Sequence, residues 1–147
     1  MTEAIALLQF RVEKLWSRTG LASAIKIVDI ATHDGGPHVE PQAKTYSIVG
    51  TERGAEIFRH DGLSLKDAAA WYLDGMAVAH AQAEELQHRK DGTYQGYSRW
   101  NWMARAIEIL AMIDQGLAEN KRAEYKDVLS KHPLKTEEVA FAVWELP

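Results

Sequence analysis

The stretch from Leu65 to Lys90 constrains this chain most. It contains no proline, and Leu65, Ala69, Tyr72, Met76, Ala79, Ala83 and Leu86 recur in steps of four and three. That spacing predicts one long helix whose apolar residues form a heptad-like seam along a neighbouring helix. Seven alanines between positions 68 and 83 allow close approach. Ser64, followed three residues later by Asp67, approximates a capping box, and Gly92 marks the stop.

The remaining elements are arranged around this helix. Ile5, Leu8, Val12, Leu15 and Trp16 predict an N-terminal helix over 3–18, with Thr2 as its cap and Gly20 as its end. "SAIKIVDIAT", residues 23–32, is rich in β-branched residues and reads as a bulged strand. "HDGGPHVEPQ" reads as a loop from its glycines and prolines. "AKTYSIVG" and "AEIFRH", joined by "TERG", read as a hairpin. A helix capped by Ser98 should reach about Asn120, and a second piece should cover about 121–131. "EEVAFAVWEL" alternates and reads as a closing strand tied into the sheet. Strands grouped apart from helices indicate an α+β fold. The expected architecture is a small antiparallel sheet of about four strands, packed with an N-terminal helix and two long antiparallel helices. With 147 residues, no linker and no repeat, one domain over 1–147 is expected.

Composition narrows the function classes. A net charge of −4 and the lack of any run of five basic residues argue against a nucleic-acid binder, which needs concentrated Lys and Arg. With no cysteine, thiolate zinc sites, disulfides and cysteine nucleophiles are excluded, which fits a cytoplasmic protein. The opening "MTEAIALLQFRVEKLW" lacks a basic leader, and no stretch of about 18 uncharged apolar residues exists, so neither a secretory signal nor a membrane span is expected.

Four motifs carry chemistry. His80, Glu84 and His88 are four apart, and each step of four on a helix rotates by about 40°, so they share one side and have metal-ligand spacing. Glu85 and His88 also form a Glu-x-x-His, but no second copy exists to pair with it, and the set reads first as structural. His33-Asp34 and His60-Asp61, with His38, supply a general-base or metal set only if their loops converge. Asp-Gly is also ordinary turn chemistry. "VGTERGAE" has two glycines but no Gly-Lys-Ser/Thr, so it reads as a hairpin turn and not a phosphate loop.

The fourth motif, "TYQGYSRWNW" at 93–102, concentrates aromatic surface around one arginine. At about 100° per residue, Trp100 and Trp102 stand at the two borders of an apolar arc formed by Met103, Ala106, Ile107 and Leu110. Arg99 falls between them in the first turn, beside free backbone N–H groups, and Tyr94 and Tyr97 precede it. An arginine at a helix N-terminus, flanked by rings, suits an anion that carries a flat ring. The ligand-binding residues expected are therefore Tyr94, Tyr97, Arg99, Trp100 and Trp102, with no cofactor and no metal. The function expected is a non-enzymatic binding module. It would sense or sequester a small anionic, nucleotide-like ligand or bind a partner protein, as a homo-oligomer joined through helices. The alternative is a small metal- or histidine-dependent, hydrolase-like enzyme using His33, His38 and His60 or the His80–Glu84–His88 face.

Overall fold

A computed structural model describes residues 2–23 and 25–147. The chain is α+β, with a three-stranded antiparallel sheet and five α-helices among those residues. Backbone contacts divide it into two compact units at Leu73/Asp74.

In the first unit, α1 (Glu3–Trp16) starts at Thr2, whose Oγ1 accepts the Ile5 N–H at 3.2 Å. Its inward stripe is Ile5, Leu8, Val12 and Trp16, as the spacing predicts, and a single 3-10 turn, Ser17–Thr19, leads to Gly20. The sheet has the order β1 (Asp34–Pro41), β2 (Tyr46–Glu52), β3 (Ala55–Leu63). Glu52 pairs with Ala55, so the β2–β3 loop is only Arg53-Gly54. Both have positive φ, 52° and 82°. That is the geometry of a type I′ turn, and Gly54 adopts it without steric cost.

The register assigns the two faces. Val39 pairs with Ile48 and Ile48 with His60, while His38 pairs with Val49 and Val49 with Arg59. The Val39–Ile48 face looks toward α1, where the Tyr46 hydroxyl donates to the Ala4 carbonyl at 2.8 Å. Phe58 lies over Gly50, where an added Cβ would overlap its ring. Phe58 and His60 both stack on Trp71 of α2 (Leu65–Lys90), with centroids 5.8 and 6.1 Å apart. β3 forms an edge of the sheet and carries register shifts near both ends.

Two strand assignments differ from expectation in this unit. Residues 23–32 form no strand among the described residues, and Ala24 lies outside them. Their backbone groups are satisfied another way. The Gln9 amide donates to the Ile25 carbonyl and accepts the Ile27 N–H, and the Val28 carbonyl accepts the Val39 N–H. Conversely, the glycine- and proline-rich stretch read as a loop is β1. Pro37 and Pro41 fit there because a bulge and an outer strand leave proline's missing donor uncompeted.

In the second unit α2 continues to Lys90, followed by α3 (Arg99–Ile113), α4 (Gln115–Lys131) and α5 (Thr136–Phe141). The helix expected to run unbroken from Ser98 to Asn120 stops at Asp114, which is fully extended (φ −163°). Its carboxylate then caps α4 by accepting the Leu117 N–H at 3.1 Å. α3 and α4 pack together. Lys121 is buried in α4, and its Nζ donates to Asp74 at 2.9 Å and Glu124 at 2.6 Å.

The expected fourth strand is absent from the described residues: 136–141 form α5. Glu138 reaches back to the Lys135 N–H at 3.0 Å, and that capping bond outweighs the two-residue alternation of Val139, Phe141 and Val143. The expected α2 seam also shifts. Ala77, Ala81 and Glu85 are buried, whereas Ala79, Ala83 and Leu86 are exposed. No helix among the described residues is long and apolar enough to cross a membrane.

Candidate interaction surfaces

The start of α3 gathers the aromatic-basic stretch, and an anion is already present there. Arg99 is N1 of α3, and its fork is filled by Glu138 of α5. Nε donates to Glu138 Oε2 at 2.8 Å and one terminal nitrogen to Oε1 at 2.9 Å. The other contacts run to the carbonyls of His132 (3.0 Å) and Pro133 (2.8 Å). Glu138 Oε2 also accepts the backbone N–H of Arg99, so the helix N-terminus receives its carboxylate from within the chain. The guanidinium contact, chiefly, pulls the Glu138 carboxyl down to about 2 and raises Arg99. Ser98 precedes the helix but makes no side-chain capping bond, because Glu138 takes that place.

Of the expected ligand residues, Tyr97, Arg99 and Trp102 come together, while Trp100 and Tyr94 lie elsewhere. Trp100 is buried, with Nε1 donating to the Glu145 carbonyl at 2.7 Å. Trp102 donates from Nε1 to the Tyr97 hydroxyl at 3.1 Å and meets Tyr125 edge-on. Tyr97 lies under the Arg89 guanidinium, 5.0 Å from its ring centre. Tyr97 and Arg99 line a groove of about 680 Å³ with Lys131, His132 and Pro133. Tyr94 belongs to a different cleft of about 420 Å³, beside His88, Glu84, Glu85, Arg105 and Trp144.

Asn101, which follows Trp100 in α3, is buried. Its amide donates to the Phe141 carbonyl at 3.0 Å and its oxygen accepts the Val143 N–H at 2.8 Å. The C-terminal segment covers it.

The histidines also separate. In the helical set, Glu84 holds Arg105 in a two-point bond (2.7 and 3.2 Å) and His80 lies 3.3 Å from it, while His88 stacks on Tyr94. Both Glu84 oxygens are therefore engaged by the Arg105 guanidinium. Burial pushes the Glu84 carboxyl up, but Arg105 and the histidine charges outweigh it and leave it lowered. In the sheet, the register places His38 and His60 on opposite faces. His33 stands before β1 with φ 59°, its N–H on Thr51 Oγ1. Among the described residues, no group of three or more His, Cys, Asp and Glu side chains is placed to hold a metal ion.

The open sheet face holds a second charged cluster, which includes His38 and Asp61 of the histidine set but is centred on Arg59, a residue outside that set. Arg59 donates to Glu56 (3.1 Å from Nε), Glu40 (3.1 Å) and Asp61 (3.2 Å). Asp61 also accepts from Ser47 Oγ at 2.6 Å, and His38 Nε2 lies 3.2 Å from Glu40. Each carboxyl is lowered: Glu40 by His38 and then Arg59, Glu56 by Arg59, Asp61 by Ser47 and then Arg59. Of these acids the sequence marked only Asp61, through the His60-Asp61 pair of "FRHDG"; Glu40 and Glu56 carry no motif.

The fold and these surfaces define a mixed α+β protein that presents charged faces and shallow clefts. The chain belongs to the immunity protein 63 family, whose model matches residues 42–127, more than half its length. An immunity protein acts through a partner protein, a toxin. No curated protein and no solved structure matches the chain.

Proposed function

We propose that this protein binds a protein toxin and neutralises it by occupying a surface the toxin needs. The family match over 42–127 carries this reading. The small-anion alternative loses its main support at Arg99, since the chain's own Glu138 fills that guanidinium and the α3 N-terminus. A nucleotide-like ligand would have to displace a carboxylate that accepts four hydrogen bonds. The protein acts in the cytoplasm of the cell that makes it, a placement that the lack of cysteine suits. Self-association would run along Gly75, Ala79, Ala83 and Leu86, which α2 leaves exposed.

The test is growth relief. Toxin genes from the protein's own genome are induced one at a time in a host that co-expresses this chain. Rescue of growth by one of them, with a stable complex on size exclusion, is the expected result. No rescue by any of them, together with a melting shift in nucleotides that Arg99→Ala abolishes, overturns it in favour of the small-ligand reading.

A further inference from the structure

The three-stranded sheet uses one face for its core and leaves the other to charged side chains. The register aligns His38, Val49 and Arg59 in one row and Glu40 with Ser47 in the next. Above Val49, which is fully buried, lie Glu40, Glu56, Arg59 and Asp61, with side chains 34–62% exposed. Three carboxylates converge on one guanidinium, so the face retains an excess of two negative charges. The bonds among the four hold them in place before any partner arrives, which lowers the ordering cost of binding.

His38 is an independent sign. It lies in the same cluster, only 5% exposed, with Nε2 on Glu40 and a buried Nδ1 that has no hydrogen-bond partner. A buried polar atom left unpaired costs free energy, and such atoms are uncommon in a completed site. The histidine that anchors Glu40 from beneath is therefore not fully satisfied in the free protein. Beside it, Ile57 is the extra residue of the β3 bulge and is 53% exposed, an apolar contact at the edge of a charged patch.

We propose that this face, built from His38, Glu40, Glu56, Ile57, Arg59 and Asp61, is where the toxin docks, through a segment that carries arginine or lysine. The assignment rests on the immunity reading and adds the surface and the chemistry of the partner. A basic side chain entering between the carboxylates balances the excess charge, and its N–H donors meet their exposed oxygens. Arg59 sets the spacing of the acids and repels a cation at the centre, so incoming charges sit at the outer oxygens of Glu56, Asp61 and Glu40. Charge-matched association of this kind is fast and weakens with salt.

The first probe is a synthetic ten-residue peptide of alternating arginine and glycine, titrated against the intact protein by calorimetry, with a glutamate–glycine peptide as control. Glu56→Lys removes the excess charge of the face, while Glu119→Lys, exposed on α4, changes the net charge equally at a remote place. Wild type should bind the arginine peptide and not the glutamate peptide. Glu56→Lys should weaken binding at least about tenfold and Glu119→Lys less than about twofold. Equal losses in both variants, or no preference for the basic peptide, overturn the assignment. If Glu56→Lys does not melt cooperatively, Glu56→Gln replaces it, with about threefold weakening expected and none refuting. The second probe is the toxin whose growth arrest the wild type relieves. Protection kept by Glu119→Lys and lost by Glu56→Lys supports the sheet face. Undiminished protection by Glu56→Lys overturns the face and leaves the immunity reading standing, whereas no protection by wild type overturns that reading itself.

Discussion

Replacing Glu138 by glutamine keeps the shape of the α5 cap and removes its charge. The wild-type carboxylate accepts from Arg99 Nε, a terminal Arg99 nitrogen, the Arg99 N–H and the Lys135 N–H, all at 2.8–3.0 Å. A carboxyl lowered from 4.5 to about 2 corresponds to about 3 kcal/mol of preferential stabilisation of the charged form. Glu138 is 8% exposed but Arg99 is 24% exposed, so solvent screening brings the expected loss nearer 2 kcal/mol. For a chain of this length that is a drop of about 4–8 °C in Tm at pH 7. The sign follows from the direction of the shift. Because the folded value lies below the ordinary one, the stabilisation is complete above pH 4.5 and drains away as pH falls toward 2. Calorimetric melts of wild type and Glu138→Gln should therefore differ fully at pH 7 and converge on acidification across that window. Arg99→Ala combined with Glu138→Gln should cost less than the sum of the two single changes, since both remove the shared ion pair, while Arg99→Ala also loses the bonds to the His132 and Pro133 carbonyls. A Glu138→Gln protein that melts within a degree of wild type at pH 7 would refute the reasoning. So would a difference that persists undiminished at pH 2.

Three further outcomes are expected. Gly50→Ala drives a Cβ into the Phe58 ring and should cost about 1–3 kcal/mol by denaturant titration, with Phe58→Ala in the same chain restoring part of the loss. Asn101→Ala removes both bonds to the C-terminal segment and should cost about 1–3 kcal/mol, with faster amide exchange at Val143; unchanged exchange would show the segment held otherwise. If α2 mediates self-association, wild type should scatter light as a dimer or larger at micromolar concentration and Ala79→Glu as a monomer. A monomeric wild type rules that assembly out.

What the sequence revealed and what it hid follow from the range of the interactions involved. α1, the β2–β3 hairpin and α2 are coded locally, by Thr2, by Arg53-Gly54 and by Ser64, whose Oγ accepts the Asp67 N–H at 3.0 Å. Residues 23–32 have strand composition, but the Ile25 carbonyl and the Ile27 N–H were claimed by Gln9, a side chain in α1. β1 has loop composition and became a strand because β2 offered it a ladder. The C-terminal stretch alternates like a strand, and only the Lys135–Glu138 spacing with acids in the first turn signalled a helix. At the candidate site, helix geometry placed Arg99 correctly in the first turn of α3. Its partner lies 39 residues away in sequence, and no local pattern could announce it. The cluster around Arg59 was hidden for the same reason, since it forms only when three strands are in register.

The two irregularities in β3 have a consequence for how the protein behaves when crowded. An uninterrupted outer strand is a template on which further chains can add, one ladder after another. Between Gly50 and Thr51 the partner position jumps past Ile57, and between Tyr46 and Ile48 it jumps again near Asp61 and Gly62. Each extra residue bends the strand and breaks the even spacing of its outward N–H and C=O groups. Arg59 and Asp61 add charge between the breaks. A second copy arriving at the β3 edge finds only a short straight segment to pair with, so strand addition on that side is disfavoured.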